Sequence, residues 1–188
     1  QRKAPGNGIR ARVDDTFERY KASVNSDDRS HYGAQIVEDL GEGMERNVPW
    51  CIYSLGFAYL VGDLELERDE ERGIELMKSA AAKGYRRACG SLGDYYYIWE
   101  DYRSAEEWWA RDGSEVCDCW ERGQCDHGLG KGHYSIAEMY YHGENVGGRN
   151  LEVALKWYES AAKSGSETKA KISHAKAAPI PFIVHFFR

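Results

Sequence analysis

"SLGFAYLVGD" occupies Ser54–Asp63 and "SIAEMYYHGE" occupies Ser135–Glu144, and one ungapped shift of 81 residues superposes them. The same shift carries "GIELMKSAAAKG" (Gly73–Gly84) onto "ALKWYESAAKSG" (Ala154–Gly165). A weaker copy lies between. "SLGDYYYIWE" (Ser91–Glu100) stands 37 residues after the first segment, and "AEEWWARDG" (Ala105–Gly113) supplies its second half. Recurrence on this scale marks a helical solenoid, in which each unit buries its apolar face only against its neighbours.

Each unit reads as two helices. In helix A, Leu55, Gly56, Tyr59 and Gly62 recur as Leu92, Gly93, Tyr96 and Trp99, then as Ile136, Ala137, Tyr140 and Gly143. That i, i+1, i+4, i+7 set is one helical face, and its small member lets a second helix approach. In helix B, small Gly73, Ala105 and Ala154 are followed by the bulky pairs Leu76–Met77, Trp108–Trp109 and Trp157–Tyr158. The first and third copies end in Ala-Ala and a Gly, a helix stop.

The pattern "LG..Y..G" followed by "A..WY..AA..G" resembles the SEL-one-like repeat, a relative of the tetratricopeptide repeat known largely from bacterial proteins. The resemblance covers residues 47–165, as copies at 47–84, 85–116 and 131–165. It implies an all-α fold: a right-handed α/α superhelix of about three helix pairs. Residues 1–46 are expected to form an N-terminal arm and capping helices, through "DDTFERYKASV" (Asp14–Val24) and "SHYGAQIVEDLGEG" (Ser30–Gly43). Residues 166–188 read as a last helix followed by the extended apolar tail "PIPFIVHFFR".

Composition agrees with helices. The chain has 188 residues, only 4 Pro, and 13 Tyr with 6 Trp. It contains no apolar run long enough for a transmembrane segment. Residues 25–165 hold 15 basic against 27 acidic side chains, whereas both ends are basic. An acidic body argues against nucleic acid and suits a partner protein with a basic surface. The sequence opens on Gln1. A leader removed from the chain is therefore expected, and with it a periplasmic or secreted location.

Three of five cysteines fall in "CDCWERGQCDHG" (Cys117–Gly128). The repeat template makes residues 117–130 an insertion between units. Cys117, Cys119, Cys125 and His127 are of zinc-ligand type, but their spacing is not that of a zinc knuckle, and no metal or other cofactor is expected. A disulfide from Cys117 or Cys119 to Cys125 and free thiols are the other readings. Cys51 and Cys89 lie on successive A helices, where pairing is also open.

No catalytic motif stands out. Ser160–Lys163, Ser166–Lys169 and Ser173–Lys176 have Ser-x-x-Lys spacing, but no Ser-Asp-Asn or Lys-Thr-Gly accompanies them. A penicillin-interacting hydrolase, a function associated with the family, is thus disfavoured, and a non-enzymatic protein-binding role is expected. A residue two places from a core position is rotated about 200° on a helix. The face opposite the packing set therefore nominates Tyr53, Phe57, Asp94, Tyr97, Tyr134, Glu138 and Tyr141 for partner binding. Aromatics mixed with acids suit a hot spot for a basic partner. Exported family members imply an immunity or inhibitor protein that neutralises a toxic effector. The runner-up is an envelope assembly or regulatory adaptor.

Overall fold

The computed structural model describes residues 7–112, 131–145 and 147–164. The described residues form eight α-helices and no strand. These are α1 (Asn7–Ala22), α2 (Ser26–Glu45), α3 (Pro49–Val61), α4 (Glu70–Ala82), α5 (Arg86–Ile98), α6 (Tyr102–Asp112), α7 (Lys131–His142) and α8 (Leu151–Ser164). Two compact units divide the chain, Gln1–Ala88 and Cys89–Arg188. The insertion at 117–130 with Cys117, Cys119, Cys125 and His127, and the C-terminal segment 166–188, lie outside the described residues.

In the first unit α1 packs on α2, α2 on α3 and α3 on α4. The Asn25 side chain starts α2 by accepting from the Asp28 backbone N–H at 2.7 Å. Pro49 opens α3, where its missing N–H costs nothing because first-turn donors have no helical acceptor. Ile9, Ile36, Leu40, Cys51 and Leu55 build the core. Helices α1 and α2 thus occupy the region expected to cap the repeats. However, α1 begins at Asn7, so Asp14 lies inside that helix and is not its cap.

The small residues of the repeat have a clear use. A Cβ built on Gly56 would lie 2.9 Å from the Gly73 carbonyl oxygen, and one on Gly73 would lie 2.8 Å from the Gly56 oxygen. Helices α3 and α4 therefore touch backbone to backbone. The bulky pairs of helix B divide their labour: Met77, Trp109 and Tyr158 are buried, while Leu76, Trp108 and Trp157 are half-buried.

In the second unit α6 packs on α7 and α7 on α8. The Trp109 indole lies directly on Gly93, where a Cβ would come within 2.2 Å of its ring. Ala137 and Ala154, both buried, stand at the positions that Gly56 and Gly73 hold in the first repeat.

Two expectations need correction. Leu55, Leu92 and Ile136 are buried, but Gly62 and Gly143 are not packing residues. They adopt left-handed φ of 73° and 82° and end their helices. Trp99, aligned with them by sequence, is 60% exposed. The left-handed residue in the second repeat is Glu100, with φ 60°. All three A helices end two residues past their tyrosine, but in the second repeat the left-handed residue comes one position later, after Trp99.

The start of each helix B is also common to all three copies. Asp69, Asp101 and Asn150 donate their backbone N–H to the carbonyls of Tyr59, Tyr96 and Tyr140, at 2.9, 3.0 and 2.9 Å. Their side chains accept from the backbone N–H of Arg72, Ser104 and Val153. One residue thus caps helix B and ties it to helix A.

Candidate protein-binding surface

The nominated residues of α3 do not form one exposed stripe. Tyr53 is only 8% exposed. The Tyr85 ring lies 5.0 Å from its own and the Arg87 guanidinium lies over it at 5.9 Å, so Tyr53 packs rather than faces solvent. Phe57 stacks on Tyr53 at 6.2 Å and is itself exposed. Val61, one turn further along α3, is exposed as well and was missed by sequence reasoning.

On α5, exposed Asp94 accepts a 3.0 Å hydrogen bond from the indole N–H of Trp109. Half-buried Tyr97 packs among Tyr102 and Trp109, with ring centroids 5.6 and 5.5 Å away. Its hydroxyl donates to Glu144, just beyond α7. That carboxylate, followed by burial, pushes the Tyr97 phenol up to about 12. Neither Asp94 nor Glu144 has a Lys or Arg partner among the described residues.

On α7, Glu138 accepts from the Tyr158 hydroxyl. Burial first, then the hydrogen bond to Glu138, raises the phenols of both Tyr134 and Tyr158. The two rings lie 5.6 Å apart. His142 Nε2 is 3.6 Å from a Glu138 oxygen, and the Arg149 guanidinium sits 5.2 Å above the Tyr141 ring. Tyr140 adds a further phenol–carboxylate pair by donating to Glu106 at 3.0 Å. Asp94, Tyr97, Tyr134 and Glu138 therefore belong to one kind of construction, carboxylates held by aromatic donors, whereas Tyr141 packs under Arg149 instead. Glu106 and Glu144 share that construction and were not found from sequence, because nothing local marks which acid a tyrosine will reach.

A hydrogen bond from a neutral phenol or indole fixes a carboxylate without cancelling its charge. Such a surface can orient and attract a cationic partner. Among the described residues, no group of three or more His, Cys, Asp or Glu side chains is arranged to hold a metal ion. His133 is buried with Nδ1 3.0 Å from Ser160 Oγ and its ring 5.0 Å from Trp157, whereas His142 is exposed. Cys51 lies wholly buried in the core of the first unit. Burial pushes that thiol up to about 12.

Paired helices with close small-residue contacts and shared caps define an all-helical repeat protein. The chain carries Sel1 repeats: the sequence model of the Sel1 repeat matches residues 51–85 and 130–166. It is 29% identical over 119 residues to chitin synthase regulator SKT5 of Saccharomyces cerevisiae, a match covering 63% of this chain and 16% of that protein. The chain thus spans under a fifth of that relative's length. The fold is similar to that of a Sel1 repeat protein from Oxalobacter formigenes, with a TM-score of 0.58, 18% identity, and coverage of 85% of this chain and 60% of that one. A protective antigen of uropathogenic Escherichia coli with the same type of fold aligns at a TM-score of 0.45 and 17% identity, over 89% of this chain and 40% of that one. Sel1 repeats mediate protein–protein interaction, and no described helix is long and apolar enough to cross a membrane.

Proposed function

We propose that the chain is a non-catalytic scaffold that binds a protein with a basic surface through the aromatic–carboxylate face of its second unit. The observation behind this reading is the pairing of Asp94, Glu138 and Glu144 with Trp109, Tyr158 and Tyr97. Asp94 and Glu144 are held in place by neutral donors, so their charge is left for a partner, and the basic group beside Glu138 is the His142 imidazole at 3.6 Å. A regulatory role fits the similarity to a chitin synthase regulator. In this reading the scaffold holds or modulates a client and does not transform it.

The inhibitor role, with a toxic effector as client and a periplasmic or secreted setting, uses the same surface and differs only in what is bound. Affinity purification of the tagged chain from its own host separates the two. One protein should be recovered in stoichiometric amount, and its identity assigns the role. The Glu138→Gln/Glu144→Gln variant should fold normally and lose most of that protein. Recovery of nothing specific, or of the same proteins by both forms, contradicts the proposal.

A further inference from the structure

The end of α5 carries a feature that the phenol–carboxylate pairs do not explain. Ile98 is 75% exposed and Trp99 is 60% exposed, side by side. Exposing a tryptophan and an isoleucine together forgoes the apolar burial that stabilises folded chains. The backbone just after them is strained as well. Glu100 sits at φ 60°, where the first and third repeats use Gly62 and Gly143. A side chain in this region is unfavourable, and strain of this sort collects where function requires it.

Trp99 stands between the last helical residue, Ile98, and the left-handed Glu100. Tyr95, one turn earlier, flanks it with ring centroids 6.3 Å apart. The charge along the chain next to the pair has one sign. Between Arg87 and Arg103 there is no Lys, Arg or His, whereas Asp94, Glu100 and Asp101 all lie there and all are exposed. The helix end thus presents an aromatic–aliphatic knob flanked along the chain by three exposed carboxylates, Asp94 being one helical turn before Ile98.

From this we infer that Ile98 and Trp99 anchor a basic amphipathic helix of a partner protein. Its apolar stripe covers the two side chains, and its flanking Lys and Arg side chains meet Asp94, Glu100 and Asp101. Burying both residues removes the apolar exposure, and the three carboxylates supply orientation and select against acidic partners. This deepens the scaffold reading by naming the chemistry of the partner, and rests on it.

The probe is a synthetic amphipathic helix of Leu and Lys, with two controls: the same helix with Glu in place of Lys, and polylysine without Leu. Binding is followed by NMR on the whole chain with labelled tryptophan indoles, each assigned by a Trp→Phe substitution. The Leu/Lys helix should shift the Trp99 indole ahead of the others, while neither control does. Trp99→Ala should weaken the Leu/Lys helix by about tenfold or more, as loss of an aromatic anchor does, and Ile98→Asp should act in the same direction. Equal shifts with polylysine, or shifts at other tryptophans only, overturn the inference. So does concentration-dependent self-association that Trp99→Ala abolishes, because a second copy would then be the occupant. Glu138→Gln/Glu144→Gln should leave the Trp99 shift intact, so failure of the phenol–carboxylate face and failure of the knob are read separately.

Discussion

Gly56 and Gly73 face each other so closely that a methyl group on either would lie within 2.9 Å of the other's carbonyl oxygen. Most of the recurring sequence pattern is a consequence of such contacts. Where two helices meet through their backbones, side chains on either flank reach across to the opposite helix, and the same apolar spacing must recur.

Gly56→Ala and Gly73→Ala should each destabilise the protein by about 1–3 kcal/mol, the usual cost of overpacking. Gly41, inside α2, is the control: a Cβ there meets nothing within 4 Å. Gly41→Ala should be neutral or stabilising by up to about 1 kcal/mol, because alanine is the better helix former. Denaturant unfolding of the three variants measures all of this.

The shared caps give a second expectation. Asp69→Ala and Asn150→Ala each remove the side-chain acceptor that holds the Arg72 or Val153 backbone N–H. Each should cost about 1 kcal/mol, and Asp69→Asn should cost far less because the acceptor is kept. Equal losses for Asp69→Ala and Asp69→Asn would show that charge, not capping geometry, matters there.

Alkaline pH probes the phenol–carboxylate construction. The hydrogen bond to Glu144 pushes the Tyr97 phenol up to about 12 in the fold, above its ordinary value of 10.0. A raised value means that the folded state holds the proton more tightly. This contribution to stability is complete below pH 10 and is lost as the pH rises through 12. Glu144→Gln removes the main cause and should return the phenol toward its ordinary value. Spectroscopic titration of phenolate, comparing Glu144→Gln with the native chain and with Tyr97→Phe, checks the assignment.

Cys51 offers a related test. It is wholly buried, and its thiol is pushed up to about 12. At neutral pH in the native state it should resist an alkylating reagent and react only after unfolding. Rapid labelling of Cys51 in the folded protein would contradict its place in the core.

The sequence made the repeat legible because helical period and residue size repeat together. Leu55, Leu92 and Ile136 with Gly56, Gly93 and Ala137 carry both signals, and all six are buried. The same spacing misled at Gly62 and Gly143. A residue seven places after buried Leu55 or Ile136 looks like a packing position, yet these two glycines serve as left-handed helix stops. The surface was half legible. Rotating away from the core reached residues of the aromatic–carboxylate pairs on α5 and α7, but it could not reveal that Tyr85 and Arg87 cover Tyr53, or that Trp109 reaches Asp94 from another helix. Those depend on the approach of neighbouring elements, which a single helix's period does not encode. Trp99, where the other copies have glycine, was the one visible sign of the exposed knob.

The most direct test of the scaffold account is calorimetric titration of the chain with the protein recovered from its host, at low and at moderate salt. The account predicts one-to-one binding that weakens as salt rises. Glu138→Gln/Glu144→Gln should bind more weakly and lose part of that salt dependence, because two unneutralised carboxylates are gone. Binding of the native chain that is indifferent to salt, or identical for native and variant, would contradict the claim that these acids are what the partner reads.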